Sequence, residues 1–324
     1  MRESILFFML NERVKDLKIR KSMTANELMK EFEDMGGFQS RELAIGTNIL
    51  ERMIRDNQCL RMLSFPACLL ATGLRGVIRE IVKRGWFDLI ITTCGALDHD
   101  LARIWKPYYQ GSFDMDDREL HRENIYRLGS VLIPHESYGK ILEERLQPML
   151  ENIWKDRSEE KGISTSELAY EIGRRLEKEK RKEESILYWA FKKKVPVFIP
   201  GPTDGSVGSQ LWMFYQLHKD FQLDLLMDEK QLSDLIWKAK RLGGLIIGGG
   251  ISKHHLIWWA QFKEGLDYAV YLTTAQEWNG SLSGAKLKEA VSWGKIKEDA
   301  KKKTVQGDAT VLLPLIVCAL IDRL

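Results

Sequence analysis

The feature that most constrains the fold of this chain is a short apolar run that recurs beside Gly, Thr and Asp residues. The runs occupy residues 87–93, 195–200, 245–247, 268–272 and 309–319. Strands that are apolar throughout are typical of a parallel sheet covered on both faces, with helical crossovers between them. We therefore predict a Rossmann-like α/β fold, a mostly parallel sheet flanked by helices. Ligands of such sheets bind beyond the carboxyl ends of the strands, where the Gly, Thr and Asp residues cluster.

The first sixty residues have a helical pattern. A capping box at Thr24 begins one helix, and the glycines at 36–37 end it. A second apolar stripe predicts a helix over residues 40–55. We therefore predict an N-terminal helical extension over residues 1–60, followed by one α/β domain over residues 61–324.

Composition excludes several classes of protein. The net charge of +3 comes from 49 basic and 46 acidic residues that are mixed along the chain, which gives no strong field for nucleic acid or a membrane. The four cysteines are far apart and form no C-x-x-C pair, so neither disulfides nor structural zinc is expected. No stretch is long enough to span a bilayer. We expect a cytoplasmic protein.

Two charged segments receive no predicted function. Residues 155–184 alternate in charge, and a helix start at 164–167 suggests a solvated helix over the sheet or a connector between domains. The three lysines at 301–303 are interpreted as a solvated tract.

The glycines at 248–250 follow a predicted buried strand. The dinucleotide fingerprint G-x-G-x-x-G is absent, because Lys253 stands at the third glycine position. The glycines still allow the backbone to approach a phosphate or sugar, and Asp204 or Asp308 could accept from ribose hydroxyls. A packing or turn role for these glycines fits the sequence equally well.

Two histidines follow this glycine turn. A metal site at His254 and His255 would need a third ligand at suitable spacing, and none is visible, so we predict no metal. One of the two is better placed as a general base near a strand end, and the other is expected to pack.

A second strand end carries the sequence Asp98-His99-Asp100. An acid, an imidazole and an acid in succession could hold a cation or move protons. Alternatively, the carboxylates could cap a helix that begins at Leu101. Both interpretations can hold together.

Lys295 follows Trp293 and Gly294, and Glu289 precedes all three in the same segment. Burial lowers the pKa of a lysine, so a neutral amine in this setting could act as a Schiff-base nucleophile. The alternative is a structural lysine at a helix end with Trp293 packed in the core.

Together these segments resemble the deoxyhypusine synthase family, and its archaeal branch in particular. The similarity spans residues 23–315 and rests on residues 72–75, 92–100, 203–206, 248–255, 267–271, 274–277 and 290–295. The resemblance implies an NAD-dependent enzyme in which Lys295 carries the aminobutyl group of spermidine as an imine. A lysine of the hypusine-containing translation factor then accepts that group.

The resemblance also implies roles for individual residues. His254 would be an active-site base or amine contact, and Trp293 would lie along the polyamine. The implied polyamine contacts are Asp98, His99, Ser209, Gly280, Leu282, Glu289 and Trp293. The implied NAD contacts are Thr93, Cys94, Gly95, Asp204, Gly249, Thr274, Ala275, Asp308 and Ala309.

The family further implies a homotetramer whose active sites lie at a dimer interface. The segment through residues 36–38 would correspond to an arm that covers the site entrance of a neighbouring chain.

Several positions depart from the family pattern. His99 replaces an acidic residue, and Ser209 and Leu282 stand where aspartates contact the polyamine. In the cofactor loop, Ala67 and Cys68 replace a polar pair. Each lost charge-assisted hydrogen bond is worth about 1.5 to 3 kcal/mol. Three alternatives stay open: a synthase that holds spermidine differently, an enzyme that builds homospermidine on a small amine, or a weakly active regulatory paralogue.

Overall fold

The computed structural model describes residues 13–157 and 162–324. Its strands are β1 (Cys59–Phe65), β2 (Leu89–Thr92), β3 (Tyr109–Gln110), β4 (Ile125–Leu128), β5 (Val131–Pro134), β6 (Val197–Phe198), β7 (Arg241–Ile247), β8 (Leu266–Thr273) and β9 (Ile296–Gln306). A parallel sheet has the strand order β6-β2-β1-β7-β8-β9, and a small antiparallel sheet has the order β3-β5-β4.

Helices connect and cover the strands. They are α1 (Ala25–Met35), α2 (Phe38–Arg55), α3 (Cys68–Ala71), α4 (Leu74–Lys83), α5 (Cys94–Trp105), α6 (Asp117–Arg122), α7 (Gly139–Asp156), α8 (Thr165–Arg175), α9 (Ile186–Lys193), α10 (Ser206–Leu217), α11 (Leu225–Lys238), α12 (Gly250–Gln261), α13 (Leu287–Val291) and α14 (Ala309–Arg323). No helix among the described residues is both long and apolar enough to cross a membrane.

The strand order confirms the predicted fold class. The chain starts at β1 in the middle of the sheet, moves outward through β2 to β6, and then returns to β7 on the other side of β1. This is the doubly wound arrangement, and its switch point lies between the ends of β1 and β7. The two ends approach closely, because a Cβ on Gly248 would lie 3.2 Å from Cγ of Pro66.

Both faces of the sheet are covered by helices. Alternate residues of each central strand point to opposite sides, as the period of two requires. Leu63 and Leu245 pack in a core with α2, α4 and α14, whereas Met62 and Ile246 pack in a second core with α11 and α12. This two-sided burial explains why the central strands are apolar along their length.

The strand predictions at 87–93, 195–200, 245–247 and 268–272 are confirmed. The prediction of a strand at 309–319 is wrong, because this segment lies inside α14. The run is apolar because α14 buries residues from Leu313 to Leu320 in the core, mainly against α1, α2 and α4.

The N-terminal helices pack directly on the main core. The capping box at Thr24 is confirmed, and Gly36 ends α1 with φ 68°. Met29 and Leu50 are fully buried in the core that the sheet shares with α14. Arg323 of α14 donates to Asn26 of α1 at 2.7 Å, which ties the two ends of the described chain together. Residues 1–12 of the expected arm lie outside the described residues.

The interpretation of residues 155–184 is confirmed in part. The helix start at Ser164 is present and α8 lies over β6 of the sheet, but it also buries Leu168 and Ile172 in the core. The lysine tract belongs to β9, where Lys301 is exposed as expected, whereas Lys303 is half-buried and pairs with Glu42 at 2.7 Å. Long lysine side chains can cover apolar surface with their stems, so a lysine-rich sequence does not exclude an edge strand.

Candidate active site

A cavity of about 400 Å³ lies between α12 and the segment that leads into β9. Its walls combine amines, carboxylates and aromatic rings. It brings together six of the predicted residues, which are Lys295, His254, Gly280, Leu282, Glu289 and Trp293. It also contains residues that the sequence analysis did not assign, among them Lys253, Trp258, Glu277 and Lys286.

Lys295 is held by its backbone between α13 and the sheet. Its N–H donates to the carbonyl of Ala290 at 3.0 Å, and its own carbonyl accepts from Leu266 at 3.1 Å. Gly294 makes the turn before it with φ 65°, a backbone region that favours glycine. The backbone position of the lysine is therefore set by α13 and by the start of β8.

The side chain of Lys295 is 8% exposed and reaches into the cavity. Its Nζ lies 5.1 Å from the ring centroid of Trp293 and 5.6 Å from that of Trp258. Trp293 is 66% exposed, so the interpretation that it packs in the core is wrong. The amine thus lies in an aromatic environment with little solvent contact.

His254 lies on α12, one turn before Trp258, and its ring stacks on that indole at 5.5 Å. Burial and the nearby charge of Lys295 lower the pKa of His254 below its usual range. A neutral imidazole at this position can accept a proton. His255 turns away and pairs with Glu229 at 3.3 Å, as expected for the histidine that packs. Among the described residues no group of three potential ligands forms a metal site.

Lys253 fixes one wall of the cavity. It is 2% exposed, and its Nζ donates to the carbonyls of Leu282 and Ala285, both at 2.7 Å. It also lies 3.8 Å from the ring centroid of Tyr271. Burial lowers the pKa of Lys253 to about 8. The sequence analysis noted Lys253 only as a departure from a glycine motif, so it missed this role.

The loop held by Lys253 also covers the end of β7. A Cβ on Gly249 would lie 2.0 Å from Oγ of Ser283, so only glycine allows the loop to lie there. Tyr271 and Thr273 both donate their hydroxyls to the carbonyl of Ser283, at 2.5 and 3.0 Å. Leu282 faces the cavity from this same loop.

The residues predicted to contact NAD follow the carboxyl ends of the strands. Thr93, Cys94 and Gly95 follow β2, Asp204 follows β6, Gly249 follows β7, Thr274 and Ala275 follow β8, and Asp308 and Ala309 follow β9. They line the edge that contains the switch point between β1 and β7. The structure thus brings them to one edge of the sheet, although the strand that precedes Asp308 and Ala309 was not predicted.

This edge has features that fit an anionic, hydroxyl-rich ligand. Helix α5 starts at Cys94, and the side chain of its N-cap residue Thr93 does not cap the amides of Cys94 and Gly95. Asp204 and Asp308 are both exposed, and they follow the two edge strands β6 and β9 at opposite ends of the sheet. Gly205 lies against the start of α5, where a Cβ would be 2.8 Å from Sγ of Cys94. Burial raises the pKa of the Cys94 thiol to about 12, so it stays protonated.

Asp98 and Asp100 lie within α5, so the prediction of a helix start at Leu101 is wrong. Each carboxylate caps a different helix instead. Asp98 is fully buried and accepts from the amides of Ser206 and Val207 at the start of α10, and from the hydroxyl of Tyr138 at 2.5 Å. Burial raises its pKa.

Asp100 has the corresponding role at α9. It accepts from the amides of Ile186 and Leu187, both at 3.0 Å, and from the hydroxyl of Ser185. Arg75 donates to it at 2.8 Å and balances its charge. The capping interpretation therefore holds for α9 and α10 rather than for the helix that carries the two aspartates.

Three predicted polyamine contacts lie away from the Lys295 cavity. Asp98 is committed to the start of α10, and His99 contacts the hydroxyl of Tyr108 at 3.1 Å. Ser209 is exposed on α10 and donates to the carbonyl of Gly205 at 3.2 Å. None of the three lines the cavity that contains Lys295.

Comparisons with known proteins agree with this architecture. The family model for deoxyhypusine synthase matches residues 27–320. A probable deoxyhypusine synthase of Picrophilus torridus is 52% identical over 309 residues, covering 95% of this chain and 97% of that protein. One of Thermoplasma volcanium is 50% identical over 310 residues, with 95% and 97% covered.

A solved structure shares the fold. The crystal structure of an Entamoeba histolytica protein assigned to deoxyhypusine synthase superposes with a TM-score of 0.67 at 20% identity, covering 96% of each chain. Three findings lead to one conclusion: the matched region is long, the identity to the archaeal proteins is high, and the fold is shared. The chain belongs to the deoxyhypusine synthase family.

Proposed function

We propose that this protein transfers the aminobutyl group of spermidine to a lysine of the hypusine-containing translation factor, with NAD as cofactor and Lys295 as the covalent carrier. Family membership supports the reaction class. The observation that carries the proposal is the amine of Lys295, which reaches a cavity of about 400 Å³ between two indoles. Such a cavity suits a cationic chain of methylene groups.

The edge at the switch point is where NAD would bind. The amides of Cys94 and Gly95 at the start of α5 suit its pyrophosphate, and the carboxylate of Asp204 or of Asp308 suits a ribose hydroxyl. A nicotinamide held at this edge would supply the reversible hydride transfer that the oxidation of spermidine and the final reduction both need.

The residues of this chain account for the transfer steps. The amine of Lys295 attacks the imine carbon of oxidised spermidine, a new C–N bond forms, and the bond from that carbon to the nitrogen of 1,3-diaminopropane breaks. Burial lowers the pKa of His254, so its neutral imidazole can take up the proton that the attacking nitrogen loses and return it to the leaving nitrogen. Displacement of Lys295 by the acceptor lysine reverses the exchange. Glu289 in the cavity wall can balance a substrate ammonium.

Trapping of the covalent intermediate tests the proposal. The protein is incubated with NAD and labelled spermidine, treated with borohydride, and digested to locate the label. Label on the peptide that contains Lys295 is expected, and adding the acceptor factor before borohydride should move it to one acceptor lysine. Lys295→Ala should retain no label, whereas the exposed neighbour Lys288→Ala should trap as the wild type does. Full transfer by Lys295→Ala would rule out the covalent mechanism.

A second acceptor is also worth testing, because Leu282 places an apolar side chain in the cavity wall. A pocket with fewer carboxylates would suit a small diamine as acceptor, as in homospermidine formation. Release of 1,3-diaminopropane with putrescine, and no labelling of the acceptor factor, would favour this second function. Labelling of the factor in preference to putrescine would favour the first.

We further propose that active sites are shared between two chains, within a tetramer. The supporting observation is the division of the predicted site. The Lys295 cavity contains six of its residues, whereas Asp98, His99, Ser209 and the NAD contacts lie outside that cavity. A second chain that presents its strand-end edge to the cavity would complete the site.

A further inference from the structure

We infer that Trp258 is a specificity residue for the amine substrate, forming with Trp293 an aromatic clamp around the position of the reacting nitrogen. This inference rests on the proposed function, because it names what selects the amine at the same site. No predicted contact included Trp258, which the sequence presents only as one of two adjacent tryptophans on a helix.

The position of Trp258 is fixed on both sides along α12. His254 stacks on its ring from one turn before, at 5.5 Å and 26° between planes. Phe262 meets it edge-on from one turn after, at 6.1 Å and 88°. Residues four apart lie on the same face of a helix, so these contacts follow from the sequence spacing. The ring is therefore held in one orientation beside the cavity that it lines.

The two tryptophans flank an amine in the structure. Nζ of Lys295 lies 5.6 Å from the centroid of Trp258 and 5.1 Å from that of Trp293. Both distances are within the roughly 6 Å over which an aromatic face attracts a cation. The ends of a polyamine carry the same primary ammonium group as Lys295. A substrate amine that approaches Lys295 thus enters a space in which two indole faces are already placed for it.

The clamp accounts for recognition in a cavity with few available carboxylates. Leu282 contributes apolar surface to the wall, and Glu277 is paired with Lys286 at 2.7 Å. Indole faces attract the ammonium and also pack on its methylene groups, so they favour linear aliphatic di- and triamines. The clamp supplies attraction where carboxylates are few.

The neighbouring tryptophan, Trp259, has a structural role on the same helix. Trp259 packs against the second core and donates its Nε1 to Glu229 at 2.7 Å. Trp258 instead is 42% exposed and lines the cavity.

Steady-state kinetics on three variants test the clamp. Formation of NADH is followed with spermidine and NAD but without the acceptor protein, and binding of spermidine is measured by calorimetry. Trp258→Leu keeps apolar volume but removes the aromatic face, so KM and Kd for spermidine should rise about tenfold, as expected for a cation–π contact of roughly 1 to 2 kcal/mol. The change in kcat should stay below about threefold. Trp258→Phe keeps an aromatic face and should stay within about threefold of wild type.

Trp237→Leu is the matched control, because Trp237 is an exposed tryptophan on α11 that does not line the cavity. It should leave KM unchanged. Unchanged KM and Kd in Trp258→Leu would overturn the inference, as would an equal rise in Trp237→Leu. If the wild type forms no NADH with spermidine, the proposed function fails, and the calorimetric comparison of spermidine binding still decides the clamp.

Discussion

At the scale of single residues, the chain uses two buried lysines in opposite ways. The ammonium of Lys253 donates to two backbone carbonyls and so holds a loop in place. Lys295 has its Nζ between indole faces, in a cavity that a ligand can enter. Burial is therefore common to both, and the nature of the neighbouring groups separates the structural lysine from the candidate nucleophile.

His99 should make the stability of the protein depend on pH. Burial, together with the nearby Arg103, lowers the pKa of His99 to about 4 from its usual 6.5. Below pH 6.5 the unfolded chain binds a proton at this position that the folded chain does not bind until the pH falls to about 4. The free energy of unfolding therefore decreases as pH falls through this window, by about 2 kcal/mol between pH 7 and pH 5.

Urea unfolding at pH 7 and pH 5 measures this effect. His99→Asn should lose about 2 kcal/mol less than the wild type over this interval, because the titrating group is gone. The exposed His121 provides the control, and His121→Asn should follow the wild type. Equal losses in wild type and His99→Asn would show that His99 is not held neutral in the folded state.

At the scale of elements, the sequence predicts those strands whose residues are apolar along their whole length. A strand buried on both faces must be apolar throughout, so β2, β6, β7 and β8 were visible from sequence. The edge strand β9 was not, because it carries lysines that cover apolar surface. β1 was also missed, since Arg61 interrupts its apolar run and pairs with Asp88 at 2.6 Å. A continuous apolar run indicates that a segment is buried, but it has no periodicity that separates a helix from a strand. For this reason α14 was mistaken for a strand.

The position of the loop at residues 281–285 should depend on the absence of a side chain at position 249. Gly249→Ala places a Cβ 2.0 Å from Oγ and 2.5 Å from Cα of Ser283, so the loop must move away. We expect a loss of about 1 to 3 kcal/mol in stability. Hydrogen exchange should become faster in the loop while it stays slow in β7.

Gly76→Ala is the control for this prediction. Nothing lies within 4 Å of a Cβ at Gly76, which is inside α4, so the change should be neutral or stabilise by up to about 1 kcal/mol. Exchange rates in Gly249→Ala that match those of the wild type would show that the loop does not rest on Gly249.

At the scale of the whole molecule, the division of the site between two regions gives a prediction about assembly. Lys295→Ala and Asp204→Asn should each be poorly active, because one lacks the carrier and the other a proposed NAD contact. If each site takes Lys295 from one chain and Asp204 from the other, a mixed dimer of the two co-expressed variants has one site with both changes and one site with neither. Random pairing should therefore restore about a quarter of wild-type activity.

The activity of co-expressed and separately purified variants is compared at equal total protein. Mixing Lys295→Ala with a second carrier variant, Lys295→Met, should restore nothing and serves as the control. Failure of the Lys295→Ala and Asp204→Asn pair to exceed the activity of either variant alone would mean that each site lies within one chain.

The sequence predicted which residues form the site better than it predicted how those residues are arranged. Lys295, His254 and Trp293 were visible because they stand in segments that resemble a known family, and they do line one cavity. Trp258 was not visible, because helical spacing alone does not tell which face of α12 meets the cavity. The capping role of Asp98 was attached to the wrong helix, since its partner amides come from a segment more than one hundred residues later, at 206–207.

The contact between α14 and the N-terminal helices has a consequence for synthesis on the ribosome. Arg323 donates to Asn26 and Asn48, and β9 packs against α2. Helices α1 and α2 thus wait for partners that emerge some 250 residues later, and β8 presents an unpaired apolar edge until β9 has emerged. Nascent chains of this protein should therefore need protection by chaperones until the segment through residue 323 has been released from the tunnel.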